Sequence, residues 1–128
     1  MSDERKGRRH EGPLAQKSFG LAVAVVRLAR RLAEQQREYV LSKQLLRSGT
    51  APGALVREAD YAESKKDFVH KLAIALKEAN ETRYWLDLLR TSGYLATEDY
   101  VEVHQLTEEV IRLLTSIIAT TKRRYLNK

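Results

Sequence analysis

A chain of 128 residues with 0 Cys, 2 Pro and 6 Gly is long enough to bury one core and too short for two, and it has no disulfide framework. Apolar residues make up 43% of it, yet no run of about 18 uncharged apolar residues exists, which excludes a membrane-spanning helix and points to a soluble chain. The net charge of +6 admits an anionic partner, while it also serves solubility.

The first thirteen residues, MSDERKGRRHEGP, are charged and lack an apolar core, so they carry no secretory signal and the cytoplasm is the expected compartment. Without periodicity and ending at Gly12–Pro13, residues 1–13 are expected to form a flexible basic arm, leaving residues 14–128 as the folded domain. From about Pro13 to Gln35, Leu21, Val25, Leu28 and Leu32 recur at intervals of 4, 3 and 4, with Ala22, Val26, Ala29 and Ala33 beside them. That is the broad apolar stripe of a first helix. Tyr39, Leu41, Leu45 and Leu46 begin a second, which meets Ser48-Gly49-Thr50-Ala51-Pro52-Gly53. Pro52 lacks an N–H and crowds the carbonyl four residues back, so this helix is expected to break or kink there before resuming through Leu55, Ala59 and Ala62.

Ser64, with Asp67 three residues on, resembles a capping box and predicts a third helix start. Phe68, Leu72, Ala75, Ala79, Thr82, Leu86 and Leu89 then alternate at 4 and 3, the seam of a helix packed as in a coiled coil and running to about Arg90. At about 1.5 Å per residue such a rod is near 40 Å long. Thr91-Ser92-Gly93-Tyr94 ends it, and Thr97 or Glu98 opens a fourth helix with Val103, Leu106, Val110, Leu113 and Ile117 on one side and Leu114 and Ile118 alongside. Four helices joined by short turns predict an all-α, up-and-down antiparallel four-helix bundle whose second helix is kinked near Pro52. The wide stripes on the first and fourth helices leave apolar surface for self-association.

Chemistry in such a bundle would need ligands or nucleophiles. A di-iron centre takes two Glu-x-x-His motifs, but His10 lies in the arm and neither His70 nor His104 has a glutamate three residues before it. Asp67-Phe-Val-His70 stands alone, so no metal and no cofactor is expected. There is no Gly-x-Ser-x-Gly, no Cys, and Gly49–Gly53 lacks the Gly-Lys-Ser/Thr ending of a phosphate-binding loop. No catalytic residue is therefore assigned and an enzyme is not expected.

Two polar groupings remain. Glu78 and Glu81 share one face of the third helix and are placed to meet Arg47 or Arg57 across the bundle; with Glu58 and Lys77 they form either an ion-pair network that sets register or a polar site in a groove. Tyr84-Trp85 beside them suits either core packing or an interface. The second grouping is basic: Arg5, Arg8 and Arg9 in the arm, Arg30 and Arg31 on the first helix, and Lys122, Arg123 and Arg124 closing the chain, with no acidic residue after Glu109. Such cations contact phosphates in a salt-sensitive and largely sequence-independent way, so RNA or DNA is the expected partner. A protein–protein assembly module without nucleic-acid binding is the alternative.

The stretches Leu45-Leu46-Arg47-Ser48-Gly49-Thr50-Ala51-Pro52-Gly53-Ala54, Ser64-Lys65-Lys66-Asp67-Phe68 and Ala73-Ile74-Ala75-Leu76-Lys77-Glu78-Ala79-Asn80-Glu81-Thr82-Arg83-Tyr84-Trp85-Leu86 resemble the 23S rRNA-intervening sequence proteins, over roughly residues 17–120. Where that family has Ile-Gly-x-Asn after Ser-Gly-Thr, this chain has Pro52-Gly53-Ala54-Leu55, so any role of the asparagine amide is lost here. The resemblance implies a four-helix protomer that assembles into a ring, a pentamer, with a basic surface. It also implies similarity to the accessory proteins of diversity-generating retroelements, which bind nucleic acid and associate with a reverse transcriptase.

Overall fold

In a computed structural model that describes residues 12–126, the apolar stripes become α1 (Pro13–Gln36), α2 (Leu41–Ala59), α3 (Lys65–Thr91) and α4 (Thr97–Thr121), and α4 runs on into a π-helical turn over Lys122–Leu126. Among the described residues there is no strand. Helices adjacent in sequence pack side by side, and α4 returns to α1 to close the square. The antiparallel sense is fixed by cross-contacts: Lys17 meets Glu109 at 2.9 Å while Arg31 meets Asp99 at 3.1 Å, so residue numbers rise on α1 as they fall on α4. The architecture is the up-and-down bundle that the periodicity predicts.

Each helix end has a physical cause. Pro13 opens α1 at a position where a missing N–H costs nothing. Arg37 closes it in the left-handed region, φ 53°, and sends the chain into a three-residue turn. Glu38 then serves α2, accepting the Ser42 N–H on its carboxylate at 2.9 Å and the Ser42 hydroxyl on its carbonyl at 2.7 Å. Ser64 caps α3 by accepting the Asp67 N–H at 3.0 Å. Asp67 reaches back to the Glu63 N–H at 3.2 Å, one residue beyond the partner of an ordinary capping box, so the reciprocal bond is displaced toward the turn. Gly93, at φ 86°, ends α3 and lets the Tyr94 N–H reach the Leu89 carbonyl at 2.9 Å.

The core follows the seams. Leu21, Val25, Leu28 and Leu32 of α1 are all buried, as are Leu72, Ala75, Ala79, Thr82, Leu86 and Leu89 of α3. At the start of α3 the seam belongs to Val69 rather than Phe68, which is half-buried beside an open cleft. On α4 the fully buried line is Val103, Thr107, Val110 and Leu114, with Leu106 and Leu113 half-buried at its edges. Thr107 tolerates this place because its hydroxyl donates to the Val103 carbonyl at 2.8 Å.

At Pro52 the chain does not break. α2 is one helix through the segment where a break or kink is expected, and that segment faces inward: Ser48, Gly49 and Pro52 are buried. A Cβ on Gly49 would lie 2.6 and 2.7 Å from the two γ-carbons of Val25, and one on Gly53 would lie 3.3 Å from the Ser18 carbonyl oxygen. The glycines, four residues apart, are where α1 and α2 touch. Packing against α1 compensates the hydrogen bond that Pro52 removes, which is why the helix continues.

Candidate nucleic-acid interface

An even number of antiparallel helices returns the chain to its starting end. The start of α1, the end of α2, the start of α3 and the end of α4 therefore share one pole of the bundle, and residues from all four line a cleft of about 720 Å³ there. Its floor is apolar, with Leu14, Val56, Phe68, Leu72 and Ile117, and Asp60, Glu63 and Lys65 stand at its sides. Lys122, Arg123 and Arg124 follow directly from Thr121 on its wall and are exposed. The Lys65 ammonium sits 4.6 Å from the centroid of the Tyr125 ring, a cation–π contact that ties the start of α3 to the terminal turn.

Lys65 and Lys66 are both exposed in the first turn of α3, where the helix dipole disfavours cations. Asp67 in the same turn offsets this only in part. Sequence reasoning did not single out these lysines as phosphate contacts, because locally they belong to a mixed-charge stretch; their position beside Lys122–Arg124 depends on the topology.

The expected basic residues are thus not one patch. Arg30 and Arg31 lie some seventeen residues up α1, about 25 Å from this pole at the helical rise. Arg31 is engaged with Asp99 at 3.1 Å, and Arg30 is exposed. Arg5, Arg8 and Arg9 lie outside the described residues; they precede Gly12, which lines the cleft.

The carboxylate cluster resolves into two parts. Arg47 reaches Glu78 at 3.0 Å and also pairs with Glu81, which in turn accepts the Trp85 indole N–H at 3.0 Å. Directly inward, the Ser48 and Thr82 hydroxyls hydrogen-bond at 3.0 Å with both residues buried, so α2 and α3 are keyed in register at this level. Glu58 is not part of this network. It lies three turns away along α2 and faces Lys71 at 3.5 Å. Lys77 is exposed on the outer side of α3 and has no ion pair among the described residues. Trp85 packs against the core, whereas Tyr84, edge-on to it with ring centroids 5.0 Å apart, is 58% exposed.

A further cluster between α3 and α4 was not anticipated. Arg83 donates to Glu108 at 2.8 Å, Tyr100 donates to Asp87 at 2.6 Å, and Arg90 reaches the Leu95 carbonyl and the Thr97 hydroxyl at 3.1 and 2.8 Å. His104 lies over Tyr100 and between Asp87 and Glu108, at 4.0 and 3.8 Å. The Arg83 hydrogen bond, reinforced by the charges of Arg83, His104 and Arg112, holds the Glu108 carboxyl below the ordinary glutamate value against partial desolvation. The hydrogen bond to Asp87, with desolvation and the aspartate charge, pushes the Tyr100 phenol up. The signal was present as Arg83, Asp87, Arg90 and Tyr100, His104, Glu108, each set on one helix face, but their pairing depends on the register of α3 against α4.

Among the described residues no three His, Asp or Glu side chains converge as metal ligands, and no helix is long and apolar enough to cross a membrane.

Fold and surface together define an all-α up-and-down four-helix bundle with a basic pole. The chain belongs to the 23S rRNA-intervening sequence protein family, whose sequence model matches residues 12–116. A crystal structure of a protein with unknown function from the S23 ribosomal protein family of Bacteroides thetaiotaomicron is similar, with a TM-score of 0.81 at 50% identity, covering 82% of this chain and 97% of that one. No curated protein matches the chain.

Proposed function

We propose that the protein is a non-enzymatic, self-assembling nucleic-acid-binding protein, with RNA as the favoured ligand, and that it holds phosphates at the basic pole. The observation that carries this reading is the convergence of Lys65, Lys66, Lys122, Arg123 and Arg124 from two helices onto one end, with the arm bearing Arg5, Arg8 and Arg9 joined there. Lys66 opens a helix against its dipole with no ion pair among the described residues, and Lys65 has only the Tyr125 ring, so a polyanion would reward both. Tyr125, 51% exposed beneath Lys65, offers a face on which a base can stack.

Titrating fluorescently labelled RNA and DNA oligonucleotides at two salt concentrations tests the reading. Charge reversal at Arg123 and Arg124, or at Lys65 and Lys66, should weaken binding, and each lost phosphate contact should flatten the log–log salt slope by about 0.7–0.9. Reversal at Arg31 should leave the slope alone. Absence of binding at low salt, or binding indifferent to both pole variants, rejects the proposal.

The exposure of Tyr84 beside the Glu81–Trp85 bond favours a second reading, a protein partner docked on α3. Resemblance to the retroelement accessory proteins would make a reverse transcriptase such a partner. In that case Tyr84→Ala abolishes partner capture while the pole variants do not.

A further inference from the structure

Of the ten large hydrophobic side chains left exposed among the described residues, four fall on the face shared by α1 and α2: Phe19, Val26, Tyr39 and Leu46. Phe19 is 56% and Tyr39 55% exposed, and the Arg57 guanidinium lies 5.4 Å over the Phe19 ring. Higher on the same face, Val26, Ala33, Tyr39 and Leu46 wall a shallow groove of about 290 Å³ flanked by Arg30 and Lys43. No carboxylate lines it, and neither cation has an ion pair among the described residues. A continuous apolar face of this kind in a water-soluble bundle marks an interface.

Its charge says what can cover it. Two copies stacked face to face across a two-fold axis would set Arg30, Lys43 and Arg57 against their own kind, which disfavours a symmetric pairing. α4 has the opposite character, with five carboxylates against one arginine. Asp99, Glu108 and Glu109 are engaged within the bundle by Arg31, Arg83 and Lys17. Glu98 and Glu102 are not: both are exposed, with no ion pair among the described residues, and between them Val101 is 51% exposed. Positions 98, 101 and 102 share one broad face of the helix, so an exposed apolar side chain stands beside two anions there. The groove offers the complement, an apolar floor between two cations.

We propose that the Glu98–Val101–Glu102 ridge of one copy seats in the α1–α2 groove of a second copy, Glu98 and Glu102 answering Arg30 and Lys43. This deepens the self-assembly in the function proposed above and names its contact. Groove and ridge are different surfaces of one chain, so the contact is head-to-tail, and repeating it yields a closed ring or an open filament rather than a symmetric dimer. It also gives Arg30 a role apart from phosphate binding.

The experiment is the mass of the full chain, without nucleic acid, by size-exclusion chromatography with light scattering. The wild type should be larger than a dimer. Arg30→Glu/Lys43→Glu and Glu98→Lys/Glu102→Lys should each run as monomers with unchanged helical circular dichroism, since all four side chains are exposed. Mixed together, the two variants supply one wild-type and one charge-swapped groove–ridge pair, so assembly beyond a dimer should return. A chain carrying all four changes should assemble again. A monomeric wild type, either double variant keeping the wild-type mass, or a mixture that stays monomeric overturns the proposal; if a charge reversal disturbs the helical signal, Arg30→Gln/Lys43→Gln replaces it under the same criteria. Failure of RNA binding would not move any of these masses, so the two proposals fail separately.

Discussion

Gly49→Ala sets two effects of similar size against each other. In an exposed helix interior the change is favourable by about 1 kcal/mol, because alanine loses less backbone entropy than glycine. Here the added methyl would sit 2.6, 2.7 and 3.0 Å from Cγ2, Cγ1 and Cβ of Val25. Val25 is fully buried, β-branched and stiff at χ1, so it cannot turn aside, and α1 and α2 must separate instead. Overpacking of this kind costs about 1–3 kcal/mol, and with three contacts at or inside 3.0 Å the upper part of that range applies. The net loss is then about 1–2 kcal/mol, or roughly 4–8 °C in Tm for a chain of this size. Thermal and urea unfolding at one fixed protein concentration measure it, since assembly makes stability concentration-dependent. In a Val25→Ala background both γ-carbons are gone and only the 3.0 Å approach to Cβ remains, so the same Gly49→Ala change should come close to neutral. A higher Tm for Gly49→Ala alone, or an equal effect in both backgrounds, would refute close α1–α2 contact at this glycine.

Ser64→Ala removes the acceptor for the Asp67 N–H and should lower stability by about 1 kcal/mol, whereas Ser64→Asp, which keeps an acceptor, should recover most of it in the same urea titration. Glu108 has a depressed carboxyl, so its ion pair with Arg83 stabilises the fold above the ordinary glutamate range and is lost as pH falls through the lower folded value. Glu108→Gln should therefore be less stable than wild type near neutrality, by under about 1 kcal/mol because both partners are partly exposed, and the difference should close on acidification. A gap that widens in acid would reverse the sign of the coupling.

All four helices were legible because their apolar residues repeat with the helical period, and burial rewards that repeat directly. The exceptions fall where tertiary contact outweighs local pattern. Composition reads Pro52 as a break or kink in the second helix, since glycine and proline weaken an isolated helix; what offsets them is the fit of α1 against bare backbone, which no window of a single segment contains. Phe68 holds the seam position by spacing, yet the bundle opens into the cleft at that level and Val69 turns to the core. Thr107 is buried ahead of Leu106 because its hydroxyl is satisfied within its own helix, so it behaves there as a small apolar residue.

The candidate site was legible in parts that topology alone joins. Basic residues at the two ends of the sequence look remote, but the parity of four antiparallel helices brings those ends together, and the same parity carries Lys65 and Lys66 to them and takes Arg30 and Arg31 to the far end. Pairings across helices, such as Arg83 with Glu108 or Arg31 with Asp99, depend on register, which is set by steric details like the Gly49 contact rather than by charge. Once those internal pairs are accounted for, the unpaired charges stand out: cations at the pole, two cations beside an apolar groove, and two anions beside Val101. Under the two proposals above, a polyanion would take one end of the bundle and a second copy its sides, so RNA at the pole of an assembled protein would not displace its neighbours.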